Sequence, residues 1–166
     1  NSSVTFSHEH DILYETALKM FYHEPIFGVG PKLFREKCKL KLYHGEMYNR
    51  YAEGNPTLEK TRHHASELPQ RLEALVCNSH PHNTYIQLLA ETGIVGTAPV
   101  IFLFILFTYF FFKQLYTLYI VKKPFFEDEK VCILLGMYIA LWPFAPSGNF
   151  FNNWLNIFLY MNAGIF

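Results

Sequence analysis

Two histidines, His80 and His82, flank a proline directly before a run of helix-forming residues. Proline is tolerated in the first turn of a helix, so the sequence predicts that Ser79 or His80 caps the helix and that His82 and Asn83 lie in its opening turn. Unpaired backbone N–H groups at the positive helix end would then lie beside both imidazoles, an arrangement that binds phosphate. The same field would lower a histidine's pKa and keep the ring neutral, able to accept a proton.

A polar stripe continues along this predicted helix. Asn83, Gln87 and Glu91 recur every four residues, which places them on one side, where they can line a cavity. His82 falls on another side together with apolar residues. A packed, hydrogen-bonded histidine is therefore the alternative to a reactive one.

A metal site is a further possibility, because His63 and His64 lie in the same half of the chain as His80 and His82. No CxxC, HExxH or comparable ligand spacing accompanies them. We therefore expect no metal ligands here, and we expect the adjacent pair His63-His64 to lie in a surface loop.

The chain divides into a polar and an apolar part. Up to Gly96 it carries ten of the fourteen Lys and Arg, eleven of the fourteen acids and all eight His. From Thr97 to Val121 it is apolar apart from Lys113 and Gln114, and ~25 residues rising about 1.5 Å each exceed a hydrocarbon core of ~30 Å. We predict an outer loop region over residues 1–96 and a transmembrane region over residues 97–166.

Two shorter apolar runs follow the first, and the polar segment PSGNFFNN separates them. The pattern predicts transmembrane helices at about 97–121, 131–145 and 154–166. The last is either a truncated crossing, which we favour, or the return from a re-entrant dip, which lipid permits only where protein or water covers the backbone.

The loop KKPFFEDEK sets the predicted orientation. Lys and Arg in short loops mark the cytoplasmic side, and Lys122, Lys123 and Lys130 cluster here, so the histidine-bearing half is extracytoplasmic. The chain begins at Asn1 without a signal-peptide pattern. We interpret it as part of a larger polytopic, all-α membrane protein.

Within the outer half, Asp11 to His23 has helical spacing of its apolar residues, and Glu24-Pro25 ends the pattern. This predicts an amphipathic helix, a kind that can lie on a membrane. Two glycines and two prolines between Pro25 and Pro31 predict a tight turn, which lacks the third glycine of a dinucleotide fingerprint.

Residues 32–75 are predicted to form a loop with short helices. Its basic stretch is short and balanced by acids, which excludes a nucleic-acid patch.

Two of the three cysteines, Cys38 and Cys77, fall in the outer half. In an oxidising compartment they can form a disulfide that closes a loop of ~40 residues and stabilises the fold by roughly 3 to 4 kcal/mol. Two unpaired buried thiols are the alternative.

Three segments in a fixed order carry a family resemblance: ALKMFYHEPIFGVGPKLF, then HPHNTYIQLLAETGIVG before the apolar run, then LWPFAPSGNFFNNW. The chain resembles the C-terminal half of the O-antigen ligase and polymerase family. The central block is the most specific part, through His82, Asn83, Tyr85, Leu89, Glu91, Gly93 and Gly96. The resemblance implies a polytopic inner-membrane glycosyltransferase of lipopolysaccharide biosynthesis that needs no metal or other cofactor and acts on the periplasmic side.

The resemblance also implies the substrates. The donor would be a glycan on undecaprenyl diphosphate, and the acceptor either a lipid A-core sugar, as in a ligase, or another lipid-linked repeat unit, as in a polymerase. The sequence does not distinguish these acceptors or name the sugar. A non-catalytic membrane module for transport or assembly, and a metal-binding outer domain, are the alternative functions.

Only some of the family's functional residues can be matched to positions in this chain. His82 matches the histidine that assists the acceptor hydroxyl, and His80, Asn83 and Glu91 are expected to contact substrate beside it. Family arginines in the outer loop hold the donor diphosphate, for which Arg35 is the first candidate and Arg71 the second. A further family arginine precedes the helix before the glycine turn, but His10 occupies that position here.

Overall fold

A computed structural model describes residues 8–53, 77, 80–145, 147–152, 157, 161–162 and 164. Every regular element with described bounds is helical, in agreement with the predicted all-α class. The elements are α1 (His8–His23), α2 (Phe34–Lys37), a 3₁₀ turn (Lys41–Tyr43), α3 (Glu46–Glu53), α4 (Thr84–Tyr116), a π-helical turn that extends α4 (Thr117–Val121), and α5 (Asp128–Ala140).

The longest helix, α4, is sharply bent at Gly93. This residue has φ 61° and ψ −160°, a conformation that essentially only glycine adopts. The rings of Tyr85 and Phe104 lie 6.4 Å apart, although a straight helix would separate the two residues by about 28 Å. The bend therefore folds the first arm, residues 84–92, toward the second arm, residues 94–116.

The turn that follows α1 fills this bend. Two N–H groups of the turn donate to carbonyls at the end of the first arm, and two N–H groups at the start of the second arm donate to carbonyls of the turn. The pairs, donor first, are Val29 with Ala90, Gly30 with Glu91, Ile94 with Pro25, and Val95 with Ile26, at 2.9–3.2 Å. The turn thus pairs backbone groups that a broken helix would otherwise leave unsatisfied.

The outer half has its own core. Helix α1 packs along the first arm of α4, and fully buried side chains such as Ala17, Met20 and Phe34 lie between the elements. A disulfide between Cys38 and Cys77, whose Cα atoms are 5.4 Å apart, ties the segment after α2 to the residues that precede α4. The bridge places a covalent link inside this core.

Among the described residues, one helix is long and apolar enough to cross a membrane, judged by length and composition: the 38 residues Thr84–Val121. Helix α5 runs back alongside the second arm of α4. The Tyr138 ring is stacked on both Phe104 and Phe111, with centroid distances of 5.3 and 5.4 Å. The 13 residues of α5 span about 20 Å, less than a hydrocarbon core. Most of the third predicted crossing, 154–166, lies outside the described residues.

The two polar residues inside the apolar run are covered by the loop that follows. The Oε1 atom of Gln114 accepts hydrogen bonds from the N–H groups of Phe125 and Phe126, at 3.0 and 2.8 Å. The Lys113 ammonium lies 3.9 Å from the Phe125 ring centroid and 5.6 Å from that of Tyr109, a cation–π arrangement. The loop therefore folds back along α4 before α5 begins.

Candidate functional site

Three histidine rings from two distant parts of the chain meet where α1 runs beside the start of α4. The ring centroids of His80 and His82 are 4.3 Å apart, and those of His10 and His82 are 5.4 Å apart. His80 is buried, whereas His82 is partly exposed. We call these three residues the histidine cluster.

The helix start differs from the prediction. Asn83 is the N-cap, and its Oδ1 atom accepts hydrogen bonds from the N–H groups of Tyr85 and Ile86 at 3.0 and 3.1 Å. The predicted caps, Ser79 or His80, are therefore wrong, because His82 has φ 56° and leaves the helical path just before Asn83. Two N–H groups that were expected to bind phosphate are already paired with the cap.

A segment from beyond α5 holds the histidines in place through Ser147. Its N–H donates to the carbonyl of His82 at 2.9 Å, and its carbonyl contacts Nε2 of His80 at 3.2 Å. Because a carbonyl can only accept, Nε2 of His80 carries the hydrogen. The Thr84 hydroxyl donates to the Ser147 hydroxyl at 2.8 Å. Ser147 thus holds the backbone of His82 and the tautomer of His80.

The cap itself is anchored to the same segment. The Nδ2 atom of Asn83 donates to the carbonyl of Pro143 at 2.8 Å, and the Tyr85 hydroxyl donates to the carbonyl of Leu141 at 2.7 Å. The Asn83 side chain is therefore engaged at both its oxygen and its nitrogen. It positions the helix start, and contact between Asn83 and substrate stays a prediction.

Within the described residues, the predicted polar stripe bridges neighbouring segments. Gln87 and Glu91 are both 0% exposed. Nε2 of Gln87 donates to Glu91 and to Asn149, each at 2.9 Å, while its Oε1 accepts from the N–H of Phe150 at 2.9 Å. The other Glu91 oxygen accepts from the N–H of Phe34 at 2.9 Å. Both Glu91 oxygens thus accept internal hydrogen bonds, and contact between Glu91 and substrate stays a prediction.

Burial sets the protonation of the site. Desolvation lowers the pKa of His82 below its ordinary 6.5, and the nearby His10 lowers it further. Desolvation also lowers the pKa of His80, and so does His82, against the opposing effect of the hydrogen bond to Ser147. The pKa shifts have the predicted direction, but their main cause is burial rather than the helix end. Both imidazoles are therefore neutral at neutral pH.

Of the two candidate arginines, Arg35 falls within the described residues. Arg35 is exposed on α2, and the structure links it to the polar stripe only through the backbone bond of its neighbour Phe34 to Glu91. Arg71, like His63 and His64, lies outside the described residues. Within the described ranges, no three side chains of the metal-binding types are close enough to share an ion.

Some residues of this site were not predicted from the sequence. His10 was noted only as a departure from the family pattern, yet it lies beside His82. Ser147 and Asn149 belong to the polar break after α5, which was interpreted as the separation between two apolar runs and as part of the family resemblance, not by its hydrogen-bonding groups. The sequence feature that could have identified Ser147 and Asn149 is the clustering of small and amide side chains between two apolar runs.

Comparison with known proteins identifies a family whose model covers the histidine-bearing segment. A family model described as O-antigen ligase matches residues 11–102, more than half of the chain, from α1 through the start of the second arm of α4. No curated protein and no solved structure matches the chain. O-antigen ligases are membrane proteins that carry out glycan transfer, and one candidate span is present here. The chain therefore belongs to the O-antigen ligase family.

Proposed function

We propose that this protein transfers a glycan from undecaprenyl diphosphate to a lipid A-core sugar or to another lipid-linked repeat unit, with His82 as the general base. Membership of the O-antigen ligase family supports glycan transfer in general. The observation that carries the specific role is His82 itself, a partly exposed imidazole with a lowered pKa whose backbone is held by Ser147. A neutral ring in this position can accept a proton near neutral pH.

In the proposed reaction the acceptor hydroxyl oxygen attacks the anomeric carbon of the donor glycan. His82 takes the hydroxyl proton through a ring nitrogen, while the bond between the anomeric carbon and the diphosphate oxygen breaks. The electron pair of that bond leaves with undecaprenyl diphosphate. Because the departing charge is shared among the phosphate oxygens, we propose that arginine side chains suffice to stabilise it and that no metal is needed.

Arg35 and Arg71 remain our candidates for that contact, since a planar guanidinium donates two parallel hydrogen bonds to a phosphate. We assign a different role to His80 and Asn83. Both are bonded to the segment after α5, so we propose that they position His82 rather than contact the substrate.

We place the histidine cluster on the periplasmic side of a bacterial inner membrane. The exposed residues Lys122 and Lys123 follow the end of α4 that is remote from the cluster, in keeping with a cytoplasmic loop. The bridge between Cys38 and Cys77 requires an oxidising compartment, which the periplasm provides.

The test is glycan transfer by this protein, in membranes supplied with the lipid-linked donor, a lipid A-core acceptor and a metal chelator. We expect transfer with the chelator present, and we expect His82→Ala to abolish it. His23→Ala, which changes an exposed histidine at the other end of α1, is the matched control and should retain transfer.

Each outcome separates one part of the proposal. Unchanged transfer by a well-inserted His82→Ala protein would refute the assigned base. Loss of transfer with the chelator alone would refute metal independence. The length of the product distinguishes addition of one glycan to the core from growth of a polymer.

A further inference from the structure

An exposed apolar surface surrounds the turn that fills the bend of α4. Tyr22 and Phe27 are 74% and 73% exposed, and Ile26, Ile94 and Val95 are each more than half exposed. We call these five residues the turn patch. The histidine cluster and the polar stripe make no use of them, and large apolar side chains this exposed in one place mark an interaction surface.

The turn cannot withdraw these side chains by rearranging. Its backbone is bonded to both arms of α4 by the four hydrogen bonds described above. Gly28 and Gly93 allow the two backbones to touch, because an added Cβ on Gly28 would collide with the backbone of Glu91 and one on Gly93 with the backbone of Ile26. The exposure of Ile26 and Phe27 is therefore built into the fold.

The patch is continuous with the apolar surface of the candidate span. Ile94 and Val95 belong to its second arm, and exposed apolar side chains continue beyond them. These are Ile101, Phe102, Leu103 and Ile105. Whatever surrounds the second arm of α4 therefore also meets the turn patch, and for an apolar helix of this length that surrounding is lipid.

The end of the candidate span near Lys113 indicates how deep the second arm of α4 lies in the membrane. Phe125 and Phe126 are bonded to Gln114, and the exposed charged residues 127–130 follow at once, so the level of Lys113 lies outside the hydrocarbon. From Lys113 back to Ile94 the helix rises about 28 Å. A hydrocarbon core is roughly 30 Å thick. Ile94 and the turn patch therefore reach the opposite boundary of the core.

We propose that the turn patch is embedded in the outer leaflet of the membrane, where the acyl chains of phospholipids meet their headgroups. Tyrosine suits this level because its ring is apolar and its hydroxyl remains hydrated. Since the turn is bonded to the first arm of α4, its insertion holds the histidine cluster at a fixed height above the hydrocarbon. This proposal concerns lipid contact and does not depend on the chemistry of His82.

The test is depth-dependent fluorescence quenching of the full-length protein in phosphatidylcholine vesicles. A small fluorophore is attached to Phe27→Cys, in a background where free cysteines such as Cys132 are replaced. Ile105→Cys, on the exposed surface of the second arm, is the membrane reference. Asn49→Cys, exposed on α3, is the water reference.

Bromine atoms on the acyl chains quench from within the membrane, and iodide quenches from water. We expect bromines near the glycerol end to quench the label at Phe27 more strongly than bromines at the chain centre, with the reverse order at Ile105 and no bromine effect at Asn49. Quenching at Phe27 by iodide to the same extent as at Asn49 would overturn the proposal.

Two other outcomes would also overturn it. A Phe27 label shielded from both quenchers would show that protein, either another segment or a second copy, covers the turn patch. An Ile105 label that bromolipids do not quench would show that the second arm lies outside the bilayer.

Discussion

The replacement Gly93→Ala tests the bend of α4 directly. At φ 61° and ψ −160° a residue with a Cβ is strained, and the added atom would collide with the carbonyl group of Ile26. Adopting this conformation without glycine costs about 1–3 kcal/mol. The collision also pushes the turn away, so the hydrogen bonds from Ile94 and Val95 to the turn are lost as well.

The size of the effect follows from these contacts. Two hydrogen bonds at about 0.5–1.5 kcal/mol each add roughly 1–3 kcal/mol to the strain. We therefore expect Gly93→Ala to lower the free energy of unfolding by about 2–6 kcal/mol. At about 2–4 °C per kcal/mol for a chain of this size, Tm falls by at least roughly 4 °C.

Thermal unfolding in detergent micelles, followed by circular dichroism, measures this loss. Gly136→Ala is the matched control, because Gly136 lies inside α5 and an added Cβ meets only the movable side-chain end of Asn162, at 3.1 Å. An alanine in a helix interior is favoured over glycine by about 0.5–1 kcal/mol. If Gly93→Ala unfolds at the same temperature as Gly136→Ala, the bend does not have the described conformation.

Three further predictions concern the site and its supports. Because His10 lowers the pKa of His82, and the proposed transfer requires the neutral His82 ring, His10→Gln should move the acidic limb of the pH–rate profile to higher pH; an unmoved limb would show that the two rings are not coupled. Replacing Cys38 and Cys77 together by serine opens a loop with a sequence separation of 39 and should lower the unfolding free energy by about 4 kcal/mol, measured by urea titration against the oxidised protein. Gln87→Leu removes three hydrogen bonds from a fully buried position and should cost about 2–4 kcal/mol; a variant as stable as the parent in the same titration would mean that the stripe does not hold the segment after α5.

Local patterns predicted the outer elements well. The spacing of apolar residues predicted a helix ending at His23 with a turn after it, and α1 ends there. Gly28 and Gly30 both have positive φ, as a tight turn with two glycines suggests. These features depend on neighbouring residues alone, which is why the sequence reveals them.

The bend at Gly93 and the true helix cap depend on distant residues and were not predicted. A glycine within an apolar helical run carries no sign of a kink, because the kink needs the turn around Pro25 and Ile26 as its partner. Asn83 is a strongly favoured cap residue, but Pro81 suggested an earlier helix start. The left-handed conformation of His82 is accompanied by a bond to Ser147, far along the chain.

The polar stripe shows the same limit. Periodicity correctly placed Asn83, Gln87 and Glu91 on one side of the helix, but it cannot tell whether a polar face meets water, a ligand or another segment. The amide groups of Asn149 and Phe150 decide this. They come from a break between apolar runs whose position in space depends on how α5 packs.

The hydrogen bonds of Ser147 to His80 and His82 also determine when the candidate site can form during protein synthesis. The second arm of α4 and all of α5 separate these residues along the chain, so a ribosome makes both histidines long before it makes Ser147. A nascent chain can complete α1 and α4 while its histidine pair is still unsupported. The histidine pair therefore acquires its final geometry only after α5 and the segment that follows it have been made, which makes assembly of the candidate site a late event in synthesis.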